Sequence, residues 1–160
     1  AGSELAIQYA EVPREIFAVE KDATDGAIAV AAAIARGASR IVLAGGLGGQ
    51  ADHTAGLLGQ ALQIARGGRS CLVTSGAEEA YPLLPGRMLI DLPAESRISL
   101  VPFTDLEGLD LAGVKWPLQS RHVTLGSTLT LSNVALGPVT VGLRGGHGVA
   151  IAMPRFDSHD

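Results

Sequence analysis

The spacing of apolar residues changes near residue 75, and this change constrains the fold more than any other feature of the chain. In the first part, strand-like and helix-like stretches alternate. The predicted strands are 16–19, 40–44 and 70–74, and the predicted helices are 22–36 and 52–66. Because strands joined by helices form a parallel sheet with right-handed crossovers, we predict a parallel, Rossmann-like α/β domain over residues 1–80.

Two details support this interpretation. Asp22 or Thr24 is a suitable N-cap for the first helix, and Gly37 is suited to end it. In the strand RIVLA at 40–44 the four residues after Arg40 form a continuous apolar run, which is typical of a strand buried on both faces of a parallel sheet.

After residue 75 the pattern is typical of antiparallel β structure. Residues 75–86 contain Gly, Glu and two prolines, Pro82 and Pro85, and are predicted to be a linker. Short segments of alternating character then follow, with turn residues between them: 87–92, 97–103, 123–131, 139–143 and 149–153. Because no helical periodicity remains, we predict an antiparallel β-sandwich domain over residues 85–155.

Composition excludes several classes of protein. Hydrophobic residues make up 47% and charged residues 18% of the chain, so a packed core is expected. The net charge is −4 without a cluster of Lys and Arg, which argues against a nucleic-acid partner. The longest apolar run, 27–35, is shorter than the roughly 20 residues that span a membrane. A single cysteine, Cys71, cannot form an internal disulfide, so we expect a cytoplasmic protein.

Acidic residues follow two of the predicted parallel strands. The segment EKDATD at 20–25 follows the first strand, and GGLGGQADH at 45–53 follows the second. Ligands of such sheets bind at the carboxyl ends of the strands, so Asp22, Asp25 and Asp52 are expected to converge there.

The glycine-rich loop favours a phosphate ligand. Four glycines in five residues are more than a plain strand-to-helix turn requires, and they suit a backbone that approaches a ligand or cradles an anion. Carboxylates beside such a loop repel phosphates unless a cation lies between them, and Mg²⁺ is suited to that position. The motifs G-x-x-x-x-G-K-[ST] and G-x-G-x-x-G are both absent, which argues against a dinucleotide site.

These features also have plain structural interpretations. Asp22 and Asp25 are suited to cap a helix, and the glycine loop to form a tight turn. Lys21 is either a partner of phosphate or a solvated surface residue, and His53 is either part of the site or a helix-start residue.

Four ordered segments together resemble the thiamine pyrophosphokinase family. They are EKDATD at 20–25, GGLGGQADH at 45–53, VKWPL at 114–118 and GSTLTLSN at 126–133. The resemblance implies transfer of the β,γ-pyrophosphoryl group of ATP to the hydroxyl of thiamine, giving thiamine pyrophosphate and AMP. It also implies a homodimer that binds thiamine between the α/β half of one subunit and the β half of the other.

The resemblance assigns roles to individual residues. Asp22, Asp25 and Asp52 are the expected catalytic residues, and Asp22 and Asp25 would hold Mg²⁺. The residues expected at the phosphates of ATP are Lys21, Thr24, Gly45, Gly46, Leu47, Gly48, Gly49 and Gln50. Trp116, Ser132, Asn133 and His53 are expected to contact thiamine, whose flat cationic ring suits the face of a tryptophan. A core position in the sandwich is the alternative for Trp116.

Two departures from the family pattern leave alternatives open. Gln50 stands where the family has Arg. The family's D-G-G and G-D-x-D-S segments are absent, and the sequence begins just after the region where they are expected. The alternatives are a catalytically impaired homologue that still binds thiamine or nucleotide, and a pyrophosphokinase that acts on another alcohol, such as a pterin.

Overall fold

The structure, a computed structural model, describes residues 24–156. Its two helices are α1 (Asp25–Ala35) and α2 (Ala51–Arg66). The N-cap of α1 is Thr24, which was one of the two predicted N-cap candidates. The predicted strand 16–19 and the site candidates Lys21 and Asp22 lie outside the described residues.

Residues 24–156 contain nine strands, most of which pair in antiparallel fashion. They are β1 (Arg40–Ala44), β2 (Ser70–Thr74), β3 (Glu79–Leu83), β4 (Gly86–Ile90), β5 (Arg97–Pro102), β6 (Leu106–Val114), β7 (Leu118–Val123), β8 (Asn133–Leu143) and β9 (Gly148–Met153). Their order across the sheet is β1-β2-β3-β9-β5-β8-β6-β7, and β4 also pairs with β8.

The parallel part of the sheet is small. Strands β1 and β2 pair in parallel from Arg40 opposite Ser70 to Ala44 opposite Thr74, and every other strand pair among the described residues is antiparallel. Helix α2 packs against β2 and β3 and buries Leu58, Ala61, Leu62 and Ile64. The described residues are therefore mostly β sheet with few helices, and one parallel pair does not establish a Rossmann-like domain.

The segment 75–86 is not a linker, which corrects the sequence prediction. It contains β3, which pairs with β2 on one side and with β9 on the other, so the sheet continues from the parallel pair into the antiparallel strands. The prolines favoured a linker in the sequence, but Pro82 lies within β3, opposite Val149. The division into domains at 1–80 and 85–155 stays a prediction.

Strand β8 connects two groups of antiparallel strands. Its first residues pair with β5, and its later residues pair with β4 and β6. A buried apolar cluster includes residues of both groups, among them Ile98 and Leu100 of β5, Leu109 of β6 and Val141 of β8. A shared core between two groups of strands is the arrangement expected of a β-sandwich.

Some predicted β segments lie elsewhere in the structure. Residues 124–132 form a loop instead of most of a strand predicted at 123–131, and Gly137 and Pro138, which precede the predicted segment 139–143, lie inside β8. Strands β6 and β7 were not predicted. Their pairing contains register shifts, which obscure a regular alternation of apolar and polar residues.

Strand β1 is not buried on both faces, contrary to the prediction. It is the last strand at its end of the sheet within residues 24–156, and the Val42 side chain is 55% exposed. Ile41, in contrast, is buried in the core beneath α2. The apolar sequence of β1 did not indicate that one face of this strand lines an open cleft.

Among the described residues, neither α1 nor α2 has the length and hydropathy of a membrane-spanning helix.

Candidate functional site

A cleft of about 1270 Å³ lies along β1 and is lined by residues of both α1 and α2. It collects most of the site residues predicted in segments 20–25 and 45–53 that the structure describes: Thr24, Asp25, Gly45, Gly46, Gly49, Gln50, Asp52 and His53. These residues come from two motifs separated in the sequence by α1 and β1. The two segments therefore share one cavity, as expected from loops that follow neighbouring strands.

Thr24 and Asp25 enter the cleft at the start of α1. The Thr24 Oγ1 atom accepts a hydrogen bond of 3.2 Å from the Ala27 backbone N–H, which fixes the first turn of the helix. Asp25 follows as the acidic residue of that turn. The capping interpretation is thus confirmed for Thr24. Thr24 and Asp25 also line the cleft, so a position at the start of the helix is compatible with a second role in the site.

The glycine loop is shaped partly by packing. Gly45 donates its N–H to the Thr74 carbonyl at 2.7 Å and has a positive φ of 79°. A Cβ on Gly46 would lie 1.9 Å from the Leu57 Cδ2 atom. Leu47 is buried in the core, and neither Leu47 nor Gly48 is among the residues that line the cleft. Of the predicted loop residues, Gly45, Gly46, Gly49 and Gln50 therefore face the cavity.

The first turn of α2 carries the third acidic candidate. The Asp52 Oδ1 atom accepts a hydrogen bond of 2.9 Å from the His53 backbone N–H, and both side chains are exposed towards the cleft. Gln50 is the N-cap residue but makes no side-chain capping bond, so its amide is not committed to the helix. The partial positive charge of a helix N-terminus favours an anion here.

Two glutamines in the cleft were missed by sequence reasoning. Gln60 and Gln63 line the cavity from further along α2. Together with Asp52 and Gly56 they are spaced by four, four and three residues, which is the repeat of one helix face. That spacing was the signal by which the sequence could have identified a polar stripe.

Within residues 24–156, no group of three or more His, Cys, Asp or Glu side chains is placed to hold a metal ion. Asp25 and Asp52 line the same cleft. Mg²⁺ is commonly bound by one or two carboxylates together with phosphate oxygens and water, so the donor set is compatible with Mg²⁺ bound alongside a phosphate ligand.

Trp116 lies outside this cleft, in the turn between β6 and β7. Its side chain is 55% exposed, so the alternative that Trp116 is a core residue is wrong. The Lys115 Nζ atom lies 5.0 Å from the centroid of the Trp116 ring, within the range of a cation–π contact. Lys115 was not singled out from the sequence, although a cation adjacent to the only tryptophan was visible there.

Ser132 and Asn133 lie close to the Trp116 turn but differ in exposure. Ser132 has a positive φ of 58°, and its hydroxyl accepts a hydrogen bond of 3.0 Å from Arg97. The Asn133 side chain is buried and is hydrogen-bonded to the backbone of Trp116. Ser132 is therefore accessible to a ligand, whereas Asn133 is engaged inside the protein.

The two groups of candidate residues are at opposite ends of the sheet. The cleft follows β1, the first strand of the order, and Trp116 precedes β7, the last strand. No residue of the Trp116 turn lines the cleft.

Comparisons with known proteins show what the chain is similar to. Residues 88–146, which include Trp116, Ser132 and Asn133, match the family model described as "Thiamin pyrophosphokinase, vitamin B1 binding domain". The β part is thus similar to a class of vitamin-binding β domains. A thiamine pyrophosphokinase of Bacillus subtilis is 32% identical over 129 residues, which cover 79% of this chain and 60% of that protein. The chain is thus similar to thiamine pyrophosphokinases over most of its length.

Solved structures agree with this similarity. The crystal structure of thiamine pyrophosphokinase from Bacillus subtilis superposes with a TM-score of 0.78 at 28% identity, covering 86% of this chain and 66% of that one. The Geobacillus thermodenitrificans enzyme gives a TM-score of 0.79 at 27% identity, covering 97% and 71%. The chain spans 60% of the length of the curated relative that it matches.

Proposed function

We propose that the protein transfers the β,γ-pyrophosphoryl group of ATP to the hydroxyl of thiamine, giving thiamine pyrophosphate and AMP. The observation that carries this proposal is the single cleft that collects acidic and glycine-rich residues from two separate motifs, in a chain whose residues 88–146 match a vitamin B1 binding domain. A cleft alone would indicate only an anion site. The two features together favour a phosphoryl donor and a thiamine acceptor in one protein.

ATP phosphates would occupy the cleft beside the start of α2. Gly49 is the loop glycine with neither a positive φ nor a packing conflict, since an added Cβ would meet nothing within 4 Å. Gln50 presents an amide that is not used in capping, and the helix N-terminus favours negative charge. Lys21 and Asp22, which lie outside the described residues, are proposed to complete this phosphate site with Thr24.

Mg²⁺ would be held by Asp25 and Asp52, together with Asp22. When bound, the ion supplies positive charge that offsets the repulsion between these carboxylates and the phosphates. The residues of the chain position the reactants: the loop and the helix N-terminus orient the phosphates, and Asp52 is proposed to orient the thiamine hydroxyl or accept its proton.

Thiamine would bind at the Trp116 turn. The exposed ring offers a face for stacking and for cation–π attraction to the thiazolium ring. Ser132 supports the assignment because its hydroxyl is exposed beside this turn. His53, on the opposite side of the proposed reaction centre, is proposed to contact thiamine from the cleft.

The protein is proposed to act as a homodimer with a shared active site. In one chain the cleft follows the first strand of the sheet order, the Trp116 turn precedes the last strand, and no residue of that turn lines the cleft. A second copy in an isologous arrangement would supply the missing half to each site. The domains at 1–80, Rossmann-like, and 85–155, a β-sandwich, are proposed as the two contributing halves.

The direct test is incubation of the protein with ATP, Mg²⁺ and thiamine, followed by measurement of AMP. Asp25→Asn should lower turnover about 100-fold or more, because an electrostatic contact to the reacting phosphates is lost. Asp110→Asn is a matched control: Asp110 accepts a hydrogen bond from the Ser120 N–H outside the cleft, and the substitution keeps that acceptor. Equal turnover in the two variants would refute the role of Asp25.

A second test separates the two substrates. Trp116→Ala should raise the KM for thiamine about 10-fold through the loss of a cation–π and stacking contact, with little change in the KM for ATP. An equal increase in both KM values would mean that Trp116 has no specific role towards thiamine.

Gln50 motivates an alternative function. The family has Arg at this position, and an uncharged amide binds phosphate more weakly. A catalytically impaired homologue would bind thiamine, yet release no AMP, and Gln50→Arg would raise its ATP affinity. A pyrophosphokinase for another alcohol, such as a pterin, would release AMP only with that alcohol.

The proposed location is the cytoplasm, because the one cysteine, Cys71, is unpaired and buried.

A further inference from the structure

Asn133 makes more contacts with the Trp116 turn than a residue that simply lines a pocket requires. Its Oδ1 atom accepts hydrogen bonds from the Trp116 N–H at 3.2 Å and from the Val134 N–H at 2.9 Å. Its Nδ2 atom donates to the Trp116 carbonyl at 2.8 Å. One side chain thus holds both the N–H and the C=O of the same residue, 17 positions away in the sequence.

These bonds leave little capacity for a ligand. A carboxamide has two donor hydrogens and two strong acceptor positions, and three of the four are used inside the protein. The residue is only 6% exposed. The reversed amide orientation would set donor against donor at two contacts, so the bonding pattern itself specifies which end faces Trp116.

The backbone reinforces the same clamp. The Lys115 N–H donates to the Val134 carbonyl at 2.8 Å, which ties the residue before Trp116 to the residue after Asn133. Beyond this point the Trp116 ring extends to solvent, with the Lys115 ammonium group near the ring centroid. The position of an exposed ring is therefore set mainly by its own backbone, and Asn133 fixes that backbone.

We propose that Asn133 is a positioning residue that holds the Trp116 turn ready for a flat cationic ligand, and that it does not contact the ligand itself. This inference rests on the proposed thiamine site. Without the clamp, binding would have to order the turn as well as the ligand, which lowers affinity. An Asp at this position would retain the acceptor but lose the donor to the Trp116 carbonyl.

The chain offers a direct spectroscopic test because Trp116 is its only tryptophan. In Asn133→Ala and Asn133→Asp, time-resolved fluorescence anisotropy of the ligand-free protein should gain amplitude in its fast local component. The Kd for thiamine should rise about 3- to 10-fold, corresponding to the ordering of one or two side chains. ATP binding should not change.

Thr130→Val is the matched control. Thr130 is also buried, in the loop before Asn133, and donates one hydrogen bond of 2.7 Å to the Leu100 carbonyl. The substitution should cost stability without changing the anisotropy of Trp116 or the Kd for thiamine. If it changes both as Asn133→Ala does, the effect is general loosening and the proposal is refuted.

The other outcomes are also decisive. Unchanged anisotropy in Asn133→Ala would overturn the clamp, and a weaker thiamine affinity with unchanged anisotropy would indicate direct contact instead. Asn133→Asp, which keeps the size of the side chain, gives the same readout if the alanine variant does not fold. If wild-type protein does not bind thiamine, the proposed function fails, while the anisotropy comparison still tests the clamp.

Discussion

At the scale of single residues, the glycine loop combines two physical requirements. Gly46 is needed for packing, since an added Cβ would overlap the Leu57 side chain at 1.9 Å and approach Val73 at 3.2 Å. Gly49 borders the cleft and has open space around it. The same residue type therefore serves the fold at one position and leaves room for a ligand at the other.

Gly46→Ala should lower the free energy of unfolding by about 1–3 kcal/mol because of overpacking. Gly49→Ala, a substitution in the same loop but without a packing conflict, should change the free energy of unfolding by less than about 0.5 kcal/mol. Urea unfolding monitored by circular dichroism measures both values. Equal destabilisation would mean that Gly49 also has a structural role.

The residues of the cleft were largely predictable. Asp25 and Asp52 were predicted because strand ends fix where the following loops emerge, and Thr24 and His53 were predicted from the resemblance to the family. The role of Asn133 was not predictable, since a motif gives the identity of a residue but not the direction of its amide. Its burial against a turn 17 residues away is a tertiary fact.

At the scale of elements, the contact between β6 and β8 depends on an irregularity. Their register shifts between Ala112 and Val114, and Gly113 between them has a φ of 78°. A Cβ there would lie 2.2 Å from the Pro138 carbonyl oxygen, a backbone atom that cannot move aside easily. The shift thus brings the two strands together at a position that only glycine fits.

Gly113→Ala should lower the free energy of unfolding by about 3 kcal/mol, through positive-φ strain and backbone overlap. Gly126→Ala is the matched control: its φ of 81° is similar, but no atom lies within 4 Å of the added Cβ. It should cost about 1 kcal/mol from strain alone. Equal losses, measured by thermal or urea unfolding, would show that the overlap with Pro138 is relieved.

These irregularities also explain which strands were predicted. Strands β1 and β2 were predicted with their observed bounds because they are short, continuous apolar runs. In β6 the buried apolar residues recur at intervals of three, two and three, which matches neither a strand nor a helix period. Strand β7 is mostly exposed and polar, and β3 contains a proline.

At the scale of the whole molecule, the proposed shared site predicts complementation between two defective chains. Asp25→Asn damages the cleft and Trp116→Ala damages the distant turn. In a randomly mixed dimer population, about one quarter of all sites would combine the two intact halves. Mixing the variants after subunit exchange, at low thiamine, should restore AMP release towards that fraction.

A chain carrying both substitutions, mixed with either single variant, is the control and should restore nothing. In such a mixture either every cleft or every Trp116 turn carries a substitution, so no site has both halves intact. No recovery in the mixture of single variants, despite demonstrated exchange, would mean that each site is formed within one chain.

Global stability is predicted to fall at alkaline pH. Burial raises the pKa of the Cys71 thiol, and burial, followed by the hydrogen bond and charge of Glu79 and the charge of Asp91, raises the pKa of Tyr81 well above its ordinary value. Both groups stay protonated in the native state at a pH where the unfolded chain has lost those protons. Their contribution is present below the ordinary values, about 8.5 and 10, and is lost as the pH rises above them.

Urea unfolding at about pH 7 and about pH 10.5 measures this loss. Tyr81→Phe removes one of the two groups, so its stability should decline less between these pH values than that of the wild type. The variant is expected to be less stable at neutral pH, because it lacks the hydrogen bond to Glu79. An identical decline in both proteins would mean that Tyr81 does not titrate differently on folding.

The sequence by itself determined the helices, the strands with regular periodicity, and the loops that gather at the cleft, because local spacing and strand direction decide these features. The tertiary structure alone decided the rest. It joined the two halves through β3, left Val42 exposed, and enclosed Asn133 against the Trp116 backbone. Such features depend on contacts between residues distant in sequence, which no local pattern encodes.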